Sequence, residues 1–168
     1  MKKIIFSCVL LVSLFSCNQE KKQKSEAAIT SKKIGFNAKK LPTIGSINVE
    51  ATEKLVGWVA FSDFETSFKT FYKSKNKEDL DVTLDDLIEK QKALAKSEHP
   101  EVFDKNHIKS RLKVCKVYIL KLKAALYYGL DIQPVALELT RAHNAYLNQF
   151  NVTVNSIIDP SIILALDE

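Results

Sequence analysis

The stretch HIKSRLKVCKVYILKLKAALYYG, residues 107–129, carries the clearest periodicity in the chain. Its apolar side chains recur at alternating steps of four and three residues, which places them on one face of an α-helix. These seam residues are Ile108, Leu112, Cys115, Ile119, Leu122 and Leu126. Val114, Val117, Tyr118 and Ala125 widen the apolar face beyond a two-stranded seam. A face of that width predicts a helix in the core of a bundle.

Amphipathic segments on both sides of this stretch predict three more helices. The four predicted helices span residues 49–74, 83–99, 104–129 and 134–158. Aromatic residues form the apolar face of the first one, and we interpret that row as core. The sequence therefore predicts an all-α protein, an up-and-down four-helix bundle, with a short C-terminal helical turn after Asp159 and Pro160.

The N-terminus has the pattern of a secretory leader. Lys2 and Lys3 precede an apolar run over residues 4–15, which is shorter than the roughly 18 residues that span a bilayer. The sequence LFSC, residues 14–17, resembles the lipobox of bacterial lipoproteins, over about the first 18 residues of the chain. The resemblance implies that the Cys17 thiol receives a diacylglyceryl group and that the freed amine is acylated, for example with palmitate. An ordinary secreted protein or an uncleaved helix are the alternatives.

Composition divides the chain into three parts: a signal peptide (1–16), a Lys-rich tether predicted to be disordered (17–47) and the bundle domain (48–168). Residues 18–47 hold seven lysines against two glutamates, whereas residues 48–168 hold 16 basic against 18 acidic residues. The positive charge lies beside the lipid, where it attracts anionic headgroups or serves as a solvated spacer. The nearly neutral domain lacks the basic face of a nucleic-acid-binding protein. The patch KLPTIGSI, residues 40–47, could also pack locally on the bundle.

Residues of the types that carry chemistry occur without the spacing that chemistry needs. Cys115 is the one cysteine after Cys17, so no intramolecular disulfide is expected, and its seam position favours a buried thiol over a nucleophile paired with His143. The segment DLDVTLDD, residues 79–86, has neither the glycine nor the final glutamate of a calcium loop. His99 and His107 are too far apart to act as a one-helix zinc pair. We therefore predict no metal, no cofactor and no enzymatic activity.

The fourth predicted helix carries an unusual polar stripe, which we call the Asn stripe. Its members are spaced three and four residues apart, so they share one helical face. They are Arg141, Asn144, Asn148, Asn151 and Asn155. Lys and Glu form helices more readily than Asn. A face that only meets solvent would therefore be more stable as a helix with Lys or Glu at these positions. One interpretation is a contact strip for an envelope protein partner or a glycan, and the other is an ordinary solvated face.

A second hypothesis places a small ligand inside the bundle. His143 and Tyr146 lie on the fourth predicted helix, and Trp58 lies on the first. An inward histidine with aromatic neighbours could hold a haem-like ring, although a satisfied core histidine is the simpler interpretation. The leading expectation is a non-enzymatic interaction or structural module. It would be lipid-anchored to a membrane of the bacterial cell envelope, the outer membrane more than the inner.

Overall fold

The computed structural model describes residues 36–156, which contain five α-helices and two short 3-10 helices but no strand. The leader, Cys17 and the predicted C-terminal turn lie outside the described residues. The α-helices are α1 (Val49–Leu55), α2 (Val59–Phe71), α3 (Lys77–Lys96), α4 (Asn106–Tyr127) and α5 (Gln133–Asn155). The 3-10 helices are Ala38–Lys40 and Glu101–Phe103.

The four long helices, α2 to α5, pack in sequence as an up-and-down bundle, which confirms the predicted all-α fold. Each packs against the next one along the chain. The Lys123 ammonium near the end of α4 lies 2.8 Å from carboxylates of Asp81 and Asp85 near the start of α3, so these two helices run antiparallel. Contact between the rings of Phe61 and Tyr146, with centroids 6.3 Å apart, joins α2 to α5 and closes the bundle.

The apolar seam of α4 is buried as predicted, and every one of its six residues is at most 2% exposed. The predicted widening of this face is correct for Ala125, which is buried, and for Tyr118, which packs at the edge of the core. It is wrong for Val114 and Val117, which are 42% and 49% exposed. The neighbouring helices cover the seam and one flank only, so valines at the other flank face solvent.

The single helix predicted over residues 49–74 is wrong, because two helices occupy that range. Gly57 has a φ of +84° between α1 and α2. A left-handed backbone conformation costs glycine little and other residues considerably more. The break lets α1 turn aside and pack on α5, while the aromatic residues that follow still form the core as predicted.

Other helix ends also differ from the predictions, and three of them have larger consequences for the reading of the sequence. The α3 helix begins at Lys77 rather than Thr83, because the side chain of Asn76 accepts a hydrogen bond from the Asp79 N–H at 2.7 Å. The cap of α4 is Lys105 instead of Asp104, one residue later than predicted. The α5 helix includes Pro134 in its first turn as predicted but ends at Asn155, three residues before the expected position 158.

The described part of the predicted tether, residues 36–47, lies on the bundle. Leu41 is buried, and Phe36, Ile44 and Ile47 pack against the core. Of the two possibilities for the patch at residues 40–47, local packing is therefore the observed one. Composition suggested a free linker through residue 47 because lysines and turn residues separate these apolar side chains and lower the average hydropathy.

Candidate functional site

The Asn stripe of α5 contacts the chain's own N-terminal segment. The Asn144 side chain accepts a hydrogen bond from the Gly45 N–H and donates one to the Thr43 carbonyl, both at 2.8 Å. The Asn151 side chain repeats this pattern. It accepts from the Asn48 N–H at 2.8 Å and donates to the Ser46 carbonyl at 3.0 Å. Each amide thus pairs its donor and its acceptor with backbone, as a peptide group would.

A third asparagine completes this contact at its C-terminal end. The Asn155 Oδ1 accepts a hydrogen bond from Asn48 Nδ2 at 3.2 Å. The Oδ1 of Asn48 in turn accepts from the Ala51 N–H and so caps the start of α1. We call Asn144, Asn151 and Asn155 the Asn clamp. It fixes residues 43–48 along α5 and couples that segment to the first turn of α1.

The other two members of the stripe lie outside the clamp. Arg141 forms an exposed ion pair with Glu138 one turn earlier, at 2.6 Å. Asn148 is exposed and has no hydrogen-bond partner among residues 36–156. The whole stripe was predicted to meet a partner, and these two residues are its members that form no hydrogen bond with the described N-terminal segment.

The opposite face of α5 points into the core and carries His143. Its Nε2 lies 2.7 Å from Glu65 Oε1, and its ring stacks on Phe68 with centroids 3.6 Å apart and planes 7° from parallel. The histidine is fully buried, whereas the Glu65 side chain keeps 13% of its surface exposed. Phe68 therefore covers one face of the His143 ring and Glu65 occupies its Nε2, so neither that face nor that nitrogen is open to a ligand.

Tyr146 lies one turn further along the same inward face, and its hydroxyl has no hydrogen-bond partner among the described residues. Burial, with smaller contributions from Cys115 and Glu65, raises the pKa of Tyr146 well above its usual range. Burial also raises the pKa of the Cys115 thiol to about 12, with Glu65 adding to the shift. Both groups are therefore neutral and poorly suited to nucleophilic or acid–base catalysis near neutral pH.

Trp58 stands apart from these two residues, at the junction of α1 and α2. Its indole N–H donates to the Ser97 hydroxyl at 2.9 Å, and its ring stacks on Phe61 with centroids 5.6 Å apart. A groove of about 610 Å³ runs between residues 44–47 and the start of α2. Trp58 and Glu65 line this groove but His143 and Tyr146 do not, so the three residues predicted to bind a ligand do not converge on one cavity.

His99 and His107, the two histidines considered as possible zinc ligands, form hydrogen bonds with other residues. His107 Nε2 lies 3.1 Å from the Thr153 hydroxyl, and His99 Nδ1 lies 3.0 Å from the Ser97 carbonyl. Residues 36–156 contain no group of three or more His, Cys, Asp or Glu side chains that could hold a metal ion. Among the helices of that range, none combines the length and the hydropathy needed to cross a membrane.

Two residues of this region were not predicted from the sequence. Glu65 lies four residues after Phe61 and three before Phe68, so helical spacing places its carboxylate within the aromatic face, and that signal was available. Gln133 accepts a hydrogen bond from the Asn37 N–H and donates one to the Asn37 carbonyl. No local pattern indicates that pair, because its residues are 96 positions apart.

Comparison with known proteins adds no relative to this description. No protein-family model, no curated protein and no solved structure matches the chain.

Proposed function

We propose that this chain is a lipid-anchored protein of the bacterial cell envelope, in the outer membrane, and that its helical bundle is a non-enzymatic interaction module. The observation that carries the proposal is the Asn clamp. It holds residues 43–48 along α5, and the Asn37–Gln133 pair holds the start of the same described segment, which leads back along the chain towards Cys17.

The docked segment shortens the connection between lipid and bundle. Eighteen residues lie between Cys17 and Phe36, and they reach at most about 65 Å at roughly 3.3–3.6 Å per residue. Release of residues 36–47 would add twelve residues, or about 40 Å of maximum reach. The clamp therefore supports a module held at a restricted distance and with one end directed towards the membrane.

Fractionation of cells that produce a Cys17→Ala variant tests the lipid anchor. We expect this variant in the soluble fraction and the unaltered chain in the membrane fraction, since stable attachment needs two or more acyl chains. Cys8→Ala, a change within the leader, is the matched control and should leave the protein membrane-bound. Membrane association of the Cys17→Ala variant as strong as that of the unaltered chain would contradict lipidation as the main attachment.

A partner protein would contact the uncovered part of the Asn stripe, Arg141 and Asn148. Crosslinking in intact envelopes followed by affinity purification should recover a partner with the unaltered chain and lose it with Asn148→Lys. Ser110→Lys introduces the same charge at an exposed position of α4 and should retain the partner. If both variants recover the same partner, the stripe is not the contact surface.

The groove favours a second candidate function, the binding of a small apolar molecule. Its volume falls within the range of about 300–1,000 Å³ that is usual for ligand sites. Trp58, Phe61 and Leu147 supply apolar walls, and Glu65 supplies one polar group. Titration with an uncharged fluorescent apolar probe tests this function. Val59→Lys at the groove wall should weaken binding, whereas Val82→Lys on α3 should not, and equal binding by both would contradict it.

A further inference from the structure

One end of the bundle presents three large exposed side chains at the end of α4 and in its connection to α5. Tyr127, Tyr128 and Leu130 are 78%, 71% and 63% exposed. Gly129, with a φ of +65°, turns the backbone between them. We call these three residues the tip. Contiguous exposed apolar side chains of this size mark a contact surface more often than a solvated one.

The N-terminal segment meets the bundle at this same end. The Asn37 N–H donates to Gln133 Oε1 at 2.7 Å, and Gln133 follows Leu130 by three residues. The ring of Phe36 lies 5.4 Å from that of Phe71, the last residue of α2. From here the segment runs along α5 towards Asn155, so its first described residue, Phe36, lies at the end of the bundle that carries the tip.

Exposed lysines lie at the same end of the bundle as the tip. The 3-10 helix at residues 38–40, the loop after α2 and the first turn of α3 bring five exposed lysines to this end. Three acidic residues are exposed beside them, and Asp81 and Asp85 further along α3 are paired with Lys123. The lysines are Lys39, Lys40, Lys73, Lys75 and Lys77, and the acidic residues are Glu78, Asp79 and Asp131. The hydroxyl of Tyr72 donates to the Pro42 carbonyl at 2.6 Å, which shows that the loop and the N-terminal segment are neighbours.

The opposite end of the bundle also exposes apolar side chains but lacks both other features. Val49, Val56 and Val59 are 76%, 81% and 69% exposed around α1. Glu50 and Glu53 outnumber the one lysine of α1, Lys54, and the described N-terminal segment begins at the other end of the bundle. This end is therefore poorly suited to an anionic surface and well suited to serve as a control.

We propose that the tip lies in the headgroup layer of the same membrane that carries the lipid of Cys17. This inference rests on the proposed lipid anchor and adds the orientation of the bundle. Tyrosine places its apolar ring and its hydroxyl at a membrane interface, and the lysines face anionic headgroups. The lipid supplies the attachment, and the tip determines which end of the bundle the membrane covers.

Depth measurements on the lipidated full chain in vesicles of phosphatidylethanolamine and phosphatidylglycerol test this orientation. A fluorophore is attached at Tyr128→Cys or, as the matched control, at Val56→Cys. Lipids with nitroxide-labelled headgroups should quench the label at position 128 at least threefold more than the label at position 56. Labelling is selective, because the acylated Cys17 has no free thiol and Cys115 is buried. Equal quenching at both positions would overturn the inference.

Two further readouts separate this inference from the proposed anchor. The mass of the purified chain reports acylation of Cys17, so an unacylated chain contradicts the anchor by itself. The unlipidated chain from residue 17 onward, with Cys17→Ala, then reports the tip alone in vesicle sedimentation. There Tyr127→Ser with Tyr128→Ser should weaken binding about tenfold through the lost apolar area. Lys73→Gln should weaken it about fivefold on anionic vesicles only, and Val56→Ser should have no effect.

Other occupants of the tip give different results. If the tip binds a second copy of the chain or another protein, the label at position 128 is shielded from iodide in water but is not quenched by labelled headgroups. Self-association would in addition appear as a dimer in sedimentation velocity without vesicles, and the double tyrosine variant would abolish it. Either outcome would overturn the assignment to the membrane.

Discussion

The outward and inward faces of α5 both carry polar side chains, but they differ in how completely these are paired. On the outward face the amides of Asn144 and Asn151 each pair a donor and an acceptor with backbone. On the buried face His143 has one strong contact with Glu65, while its Nδ1 and the Tyr146 hydroxyl have no partner among residues 36–156. The exposed fraction of a polar group therefore does not by itself tell how much that group contributes to the stability of the fold.

The difference follows from what each face meets. The outward amides meet an extended peptide segment, whose N–H and C=O groups offer donors and acceptors at regular spacing. The inward groups meet phenyl rings, which fill space and exclude water but offer few hydrogen bonds. The outward face should therefore contribute through hydrogen bonds and the inward face mainly through packing, and the following four experiments test that division.

The largest effect is expected for His143→Ala. This change removes a ring stacked on Phe68, leaves a cavity and deprives Glu65 of its partner, so we expect a loss of about 3–5 kcal/mol in the free energy of unfolding. Urea denaturation followed by circular dichroism measures it. His143→Phe keeps a ring on Phe68 and should cost clearly less. Equal losses for both variants would show that the hydrogen bond to Glu65, not packing, dominates the inward face.

The second effect concerns pH and Cys115, which lies beside the inward set. Its pKa rises from an ordinary value of 9.0 to about 12 on folding, because burial disfavours the thiolate. The folded chain thus favours the neutral thiol. The resulting stabilisation is fully present below pH 9 and is lost as the pH rises towards 12. At pH 10.5 the loss should be about 2 kcal/mol.

Denaturation at pH 8, 9 and 10.5 measures this loss as a difference between the unaltered chain and Cys115→Ala. Burial raises the pKa of Tyr146 in both proteins, so this main cause cancels in the difference, and Cys115→Ala removes only the smaller share of the shift that comes from Cys115. The gap in stability between the two chains should shrink as the pH rises. A gap that stays constant would show that the thiol is solvated in the folded state.

Sequence patterns predicted the bundle where one signal dominated. The apolar seam of α4 repeats over nineteen residues, from Ile108 to Leu126. A mismatch at one position therefore does not change the predicted helix or its buried face. The break at Gly57 was missed because a glycine inside a helix costs only about 1 kcal/mol, which is compatible with either a continuous or an interrupted helix. Only the packing of α1 on α5 decides between them.

The sequence predicted which residues form the Asn stripe, but it did not predict the N-terminal segment that they contact. The spacing of Asn144, Asn151 and Asn155 correctly placed the three residues on one face of a helix, whereas their predicted contact with a partner molecule stays a prediction. The spacing carries no information about what lies opposite, and the observed partners are about a hundred residues away, as for Gly45 and Asn144. An aromatic face likewise predicts burial, but it does not tell whether Tyr146 reaches a hydrogen-bond partner inside.

The third effect is expected at the outward face. Asn144→Ala removes the hydrogen bonds to Gly45 and Thr43, at a cost of about 1 kcal/mol for this exposed pair. Amide exchange at Gly45 should then accelerate about fivefold, since local opening becomes easier by that free energy. Asn148→Ala on the same stripe is the matched control; it shares the gain in helix propensity of an Asn-to-Ala change but should leave exchange at Gly45 unaccelerated. Unchanged exchange at Gly45 in Asn144→Ala would contradict the clamp.

The smallest effect is expected for Tyr146→Phe, and it bears most directly on the contrast between the two faces. The change removes a buried hydroxyl without a hydrogen-bond partner among the described residues and keeps the ring among Phe61, Phe64 and Phe150. Burial of an unpaired hydroxyl costs free energy, so its removal should be neutral or stabilise the fold by up to about 1 kcal/mol. Urea denaturation beside Asn144→Ala makes the comparison within one helix. The exposed amide should then contribute more to stability than the fully buried hydroxyl, because the amide is paired. If Tyr146→Phe instead destabilises the chain by more than about 1 kcal/mol, the hydroxyl has a partner in solution and the inward face is as well paired as the outward one.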